Sequence, residues 1–321
     1  MFNRLLSNVF FKVNSVIILG IILNSFLTEV FAQPVLFNYF NKNQTNWETV
    51  EYQKLKNLKI KTRELYSGYF LPNGNPPEEP VLSEISYLDK NGNLIKVEDI
   101  TSYGQVRSSV ELKYNAQQRL IEILNKKSDG FMTFRKEIFY EGKDTAKIYV
   151  TDRKKNKTKQ TFFYDSQKQI QQKKYFDEKG QLYLQESFNY ENGVLTKIIY
   201  TNEKNDTVAT NLLKYDSNGN LQSENLNGAL KKYYLDSSSN LIKVEEGSEF
   251  KLYKYDDNKN LIDYQYYTSA NRRQFRLGFT YQKDGLIKEI IRYESDDTKA
   301  FYSTYKYKKW VRRNGWKNHY Y

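Results

Sequence analysis

The chain has 321 residues, with 50 Lys and Arg against 38 Asp and Glu, 29 Tyr, 19 Phe, one His and no Cys. Without cysteine there is no disulfide framework, thiolate metal site, cysteine nucleophile or lipid-modified cysteine anchor, and the lone His319 excludes a multi-histidine metal centre. Hydrophobic residues make up 39% and mean hydropathy is −0.79, too polar for a bundle of membrane-spanning helices.

The first element reads as an export signal. Arg4 and Lys12 precede the apolar run Val16 to Leu23, and Val30, Phe31 and Ala32 end in small residues at the −3 and −1 positions. That run is much shorter than the roughly 20 apolar residues a bilayer needs, and Asn24 interrupts it, so cleavage after Ala32 is expected rather than anchoring. Removing Arg4, Lys12 and Glu29 with the signal leaves 48 basic and 37 acidic side chains, a net of +11. A lead-in segment, 33–80, follows. Within it, Trp47, Val50 and Leu58 have roughly helical spacing, which predicts one short helix over 46–58, and a first strand comes after.

From Tyr87 onward the chain repeats. The stretches YLDKNGNL at 87, YDSNGNL at 215, YLDSSSNL at 234 and YDDNKNL at 255 are near copies, and weaker ones start at Tyr114, Tyr140, Tyr164, Tyr190, Tyr281 and Tyr305. Successive copies are 19 to 27 residues apart, the mark of an array in which each unit is one supersecondary element. Each unit reads as a hairpin: an aromatic ends one strand, a polar Asp/Asn/Gly/Ser cluster reverses the chain, and Leu or Ile opens the next. Asn91-Gly92, Asn192-Gly193, Asn218-Gly219, Asn227-Gly228 and Asp284-Gly285 supply steps that tolerate positive φ. The runs between them are rich in Tyr, Phe, Ile, Val and Thr, so residues 81–309 form one repeat domain. The expected fold is all-β: an antiparallel β-hairpin repeat array forming a twisted or coiled sheet, with Tyr, Leu and Ile on one face and hydrated tyrosine hydroxyls.

The Tyr-Asp pairs at 164–165, 215–216 and 255–256 resemble the YD repeats of RHS and teneurin-type proteins. The resemblance spans about 81–309 and implies a long antiparallel sheet that coils into a spiral or shell. This chain departs from the pattern where Leu88 and Leu235 read as insertions before the Asp, where Lys259 replaces the Gly, and at the unit of Tyr140. No catalytic residues come with the resemblance, and no toxin-like C-terminal domain is found here.

The turn segments beginning at Asp89, Asp216 and Asp256 look like the start of a calcium loop. Leu94, Leu221 and Leu261 occupy the position an EF-hand gives to Gly, so these groups are expected to close Asx turns instead. No cofactor is expected. Acid pairs such as Glu78-Glu79, Glu245-Glu246 and Asp296-Asp297 sit in polar, turn-like sequence, and there is no phosphate loop, nucleophile elbow or zinc-protease motif. The basic run 153–159 reads as a turn between strands.

The C-terminal tail, 310–321, continues a basic aromatic stretch. Lys306, Lys308, Lys309, Arg312, Arg313 and Lys317 carry six of the net +11 and interleave with Trp310 and Trp316, a composition suited to anionic sugars or phosphates. Truncation after Tyr305 is therefore expected to lower affinity for a polyanion and leave the fold intact. The functional expectation is an exported, non-enzymatic module in the periplasm, on the cell surface or in the medium. It binds an anionic glycan or envelope polymer, or a protein through the sheet, with no nucleic acid and no membrane span after cleavage. The alternative is a carbohydrate-active enzyme on a β scaffold. An outer-membrane barrel is disfavoured because segments such as 211–224 do not offer an apolar residue at every second position.

Overall fold

The computed structural model of the protein describes residues 47–71, 79–142, 144–268 and 272–310. All of them belong to the second of two units, Asn43–Tyr321. The signal-type segment 1–32, and Arg312, Arg313, Trp316 and Lys317, lie outside the described residues.

Helix α1 (Trp47–Asn57) stands where the helical spacing predicts it. The strands that follow are β1 (Ile60–Tyr69), β2 (Val81–Leu88), β3 (Leu94–Ile100), β4 (Val106–Tyr114), β5 (Leu120–Lys127), β6 (Met132–Glu141), β7 (Thr145–Asp152), β8 (Lys157–Tyr164), β9 (Ile170–Phe176) and β10 (Leu182–Glu191). The second half consists of β11 (Val194–Thr201), β12 (Thr207–Tyr215), β13 (Leu221–Leu226), β14 (Ala229–Leu235), β15 (Leu241–Glu246), β16 (Glu249–Tyr255), β17 (Leu261–Thr268), β18 (Arg272–Tyr281), β19 (Ile287–Tyr293) and β20 (Lys299–Lys309). Each strand pairs antiparallel with the next. The last, β20, pairs along its length with β1, from Ile60 opposite Lys309 to Tyr69 opposite Phe301. The expected twisted or coiled repeat sheet is thereby corrected to a closed 20-stranded barrel, in which none of the described strands is left as a free edge.

Most turns share one geometry. In the first YD-like unit, Gly92 N donates to Asp89 O at 3.0 Å and Asp89 N to Asn93 O at 2.8 Å, with Gly92 at φ 82°. Asp89 Oδ1 accepts from the amides of Asn91 and Asn93, both at 2.8 Å, so the carboxylate closes an Asx turn. Asp216, Asp236 and Asp256 repeat the arrangement, with Gly219, Ser239 and Lys259 in the left-handed position. This is a type I turn followed by an αL residue, the common loop after the two-residue hairpins. The primed two-residue turn occurs at Asn192-Gly193 and Asn227-Gly228, where both residues have positive φ. The same five-residue turn also closes the opposite end of the barrel at Asp152, Asp177 and Asn202. A period counted on Tyr-Asp pairs sees one end only.

Register corrects the reading of Leu88 and Leu235. Leu88 pairs with Leu94 and Leu235 with Leu241, just as Tyr114 pairs with Leu120, Tyr164 with Ile170 and Tyr255 with Leu261. These leucines are not insertions; they stand in the tyrosine position. The unit of Tyr140 keeps the pattern with Ala146 as its partner. Six tyrosine hydroxyls of these units are not left to water. Tyr114, Tyr140, Tyr190, Tyr255, Tyr281 and Tyr307 donate to the carbonyls of Leu94, Leu120, Ile170, Leu241, Leu261 and Ile287, at 2.7 to 3.1 Å. Each ring thus covers a Leu or Ile while its hydroxyl fastens one hairpin to the previous one.

Side chains alternate between two faces. One holds Ser86, Leu88, Ile170, Leu221, Leu261 and Ser303, each under 2% exposed, and Glu51 of α1 reaches Tyr307 on it; this is the inner face. The other carries cross-strand ion pairs. Lys113 Nζ and Arg135 Nε flank Glu122 at 2.6 and 2.7 Å, Lys126 meets Glu111 at 2.9 Å, and Arg276 meets Asp263 at 2.8 Å. The basic run 153–159 forms the β7–β8 turn and the start of β8, with Lys159 lying 3.9 Å from the Phe176 ring centroid.

Candidate functional site

The YD-type turns, α1, the start of β1 and the end of β20 converge at one end of the barrel. Trp310 is fixed there by two hydrogen bonds: its N donates to Lys59 O at 2.9 Å, and its Nε1 donates to Asp89 O at 3.2 Å. The amines of Lys61 and Lys90 lie 5.3 and 5.9 Å from its ring centroid, both on exposed residues. Lys56 of α1 packs so closely on the β2–β3 turn that a Cβ on Gly92 would stand 2.6 Å from its Cγ, so only glycine fits there. Lys54 donates to Asn260 Oδ1 at 2.6 Å and to Gly285 O at 2.9 Å, and lies over the Tyr281 ring. Lys56 and Lys54 together dock the helix on turns from both halves of the chain.

Of the eight residues the sequence nominates, four are described. Lys306 lies 4.2 Å from the Tyr66 ring centroid on the outer face, and Lys308 is paired with Glu64, whose carboxyl this contact holds below the usual range. Lys309 reaches Asp284 at 3.5 Å. Only Trp310 is brought among exposed cations, and its companions Lys61 and Lys90 were not legible because barrel closure alone makes them neighbours.

Beneath this end lies a buried charge cluster on the inner face. Arg63 Nη2 donates to Glu84 Oε1 at 3.4 Å and to Ser86 Oγ at 3.2 Å, and Ser86 Oγ donates to Glu84 at 2.9 Å. Burial raises the Glu84 carboxyl, with Arg63 opposing it. Glu51 is 6% exposed; burial lifts its carboxyl too, against Arg63 and long hydrogen bonds from Ile287 N and Tyr307 OH. The acid pairs singled out from sequence are occupied elsewhere: Glu245 binds Lys243 and Tyr234, and Asp297 binds Arg273 at 2.8 Å. Glu78 lies outside the described residues. Among the described residues no group of three or more His, Asp or Glu could hold a metal, and no helix is long and apolar enough to cross a membrane.

No family model and no curated protein matches the chain. Among solved structures, a porin-like protein from Bacteroides uniformis is similar at 9% identity, covering 78% of this chain and 98% of its own, with a TM-score of 0.35. A porin-like protein from Bacteroides vulgatus follows at 14% identity, 65% and 96% coverage and a TM-score of 0.31. The Tc holotoxin pore of Photorhabdus luminescens matches at 10% identity over 75% of this chain and 18% of that one, with a TM-score of 0.30. Scores this low specify neither a common strand arrangement nor a common ligand.

Proposed function

We propose that the protein is an exported, non-enzymatic binding module of the cell envelope or cell exterior, released by cleavage after Ala32, whose helix-capped end contacts an anionic polysaccharide. The observation that carries this reading is Trp310, its backbone N held by Lys59 O and its ring Nε1 by Asp89 O, flanked by the free-ended Lys61 and Lys90. Rings stack on sugar faces while amines meet carboxylate or phosphate substituents. The outer wall supports a water-facing barrel, since a lipid-facing one needs apolar residues where Glu111, Lys113, Glu122 and Arg135 stand. The recurring turn, with Tyr or Leu before its Asp, supports kinship with YD-repeat proteins.

Both lysines are exposed, so Lys61→Glu with Lys90→Glu should fold normally. Affinity for alginate or lipopolysaccharide should fall roughly tenfold or more, since two attractive surface contacts become repulsive. Wild-type binding should weaken steeply with salt, because screening at 0.15 M limits exposed charges to about 8 Å. Undiminished binding by the double variant, measured by calorimetry, or binding indifferent to salt, rules this surface out.

A further inference from the structure

Among the described residues, one inner-face cation has no counter-charge beside it. Lys136, on β6, is 9% exposed, and its neighbours across the ladder are Ile123 and Val150. Ile138, two residues on, is buried on the same face. Among the described residues no hydrogen bond or ion pair engages the Lys136 amine. Its one charged neighbour, Lys173 of β9, has the same sign; burial first, and that repulsion second, push the Lys136 amine down to about 8. Lys173 is itself 11% exposed, lies over the rings of Phe162 and Tyr175, and has Glu186 at 3.9 Å. Arg63 has Glu84, Lys231 has Glu246 at 3.8 Å, and Lys251, which makes no ion pair among the described residues, has the charges of Glu246 and Glu249 near it.

An unpaired buried ammonium is destabilising, and a Leu or Met of similar length would fill the same space without that penalty. Packing therefore does not explain a lysine at 136. A ligand does. The two amines and one carboxylate leave a single positive charge, which one carboxylate balances and a phosphate dianion would over-balance beside Glu186. The setting is apolar: Ile123, Ile138, Ile148 and Phe162 are buried beside the half-buried Val150, which favours a ligand with a carbon body over a hydrated one.

We propose that the inner face between β6 and β9 binds a carboxylate-bearing ligand, its acid group meeting the amines of Lys136 and Lys173 and its carbon body lying on the neighbouring aliphatic and aromatic side chains. The site is separate from the helix-capped end and stands or falls independently of the polysaccharide reading.

The test is calorimetric titration of the full chain at neutral pH with laurate, with acetate as the head-only probe and dodecyl maltoside below its micellar concentration as the tail-only probe. Laurate should bind, and dodecyl maltoside should not. Lys136→Met should lower laurate affinity about ten- to hundredfold, the loss of a charge-assisted contact. The same variant without ligand should melt at a higher temperature than the wild type, because the uncompensated charge is gone. Lys136→Arg should retain binding. Acetate binding with the same dependence on Lys136 would assign the site to small free carboxylates; binding by laurate alone would assign it to amphiphiles. Absence of binding by both acids, undiminished affinity in Lys136→Met, or a lower melting temperature for that variant overturns the proposal.

Discussion

Raising the pH from 9 to 12 should unfold the barrel in one cooperative step, and tyrosinate absorbance should rise with it rather than gradually. Tyrosines supply the inner face and the joints between hairpins, and their ionisation is opposed there. Burial pushes Tyr200, Tyr215, Tyr255, Tyr266 and Tyr305 up to about 12, with nearby carboxylates contributing at several of them. Tyr175, Tyr233 and Tyr307 move further in the same direction, each beside a glutamate. A folded-state pKa above the unfolded value means that the native state binds more protons between the two. The stabilisation is therefore complete below pH 10 and is lost as pH rises toward 12. For a well-buried tyrosine such a shift corresponds to about 2 to 3 kcal/mol, so two or three of them rival the roughly 5–15 kcal/mol that holds a typical domain. Lys136 acts in the opposite sense. Its lowered pKa is a full penalty below about pH 8 that fades as pH approaches 10, so stability should rise slightly before it collapses. A barrel still folded at pH 12, or tyrosines that titrate gradually while circular dichroism stays native, would contradict this account.

Truncation after Tyr305 should unfold the protein or lower its melting temperature severely, and by more than truncation after Trp310, which leaves the β1–β20 pairing whole. The sequence alone suggests the opposite for the first variant, because the repeats before Tyr305 read as retaining their own pairing. The seam reverses that expectation. Lys306, Tyr307, Lys308 and Lys309 belong to β20 and face Glu64, Arg63, Thr62 and Ile60 of β1. Removing them strips the Tyr307 hydroxyl from Ile287 O and Glu51, the Lys308 amine from Glu64, and the Trp310 anchor from Lys59 and Asp89. It also leaves the Ile60–Glu64 half of β1 without its partner strand. At about 0.5–1.5 kcal/mol for each hydrogen bond, together with the buried ring, the loss is on the order of 5 kcal/mol. Equal melting temperatures for the two truncations would mean that the seam contributes nothing.

Sequence exposes what is encoded locally. Strand ends and turns are visible because each Asp accepts from amides two and four residues ahead, which fixes a spacing that can be read by eye. Helix α1 is visible for the same reason. Closure is not, because the pairing of β1 with β20 results from curvature accumulated over every intervening strand, and no residue near Ile60 or Lys309 signals it. Everything that depends on closure is hidden with it, including the gathering of Lys61 and Lys90 around Trp310. Lys136 is an intermediate case. Alternation along Phe134, Lys136, Ile138 and Tyr140 places it on the face of a buried isoleucine, a signal present in the sequence but masked by the lysines at so many other positions. Leu88 and Leu235 mislead because a repeat counted on tyrosine treats an apolar substitute as an insertion.

The closed seam is best tested by a cross-link. The chain has no native cysteine, and Ser67 and Ser303 stand directly opposite each other on β1 and β20. Opposite residues of an antiparallel pair have Cα atoms roughly 4.5–5.5 Å apart, within the range a disulfide spans. Ser67→Cys with Ser303→Cys, oxidised at low protein concentration, should form one intramolecular disulfide and raise the melting temperature, by up to about 2–4 kcal/mol in stability. Free thiols after oxidation, or cross-links formed only between molecules, would show an open sheet whose first and last strands never meet.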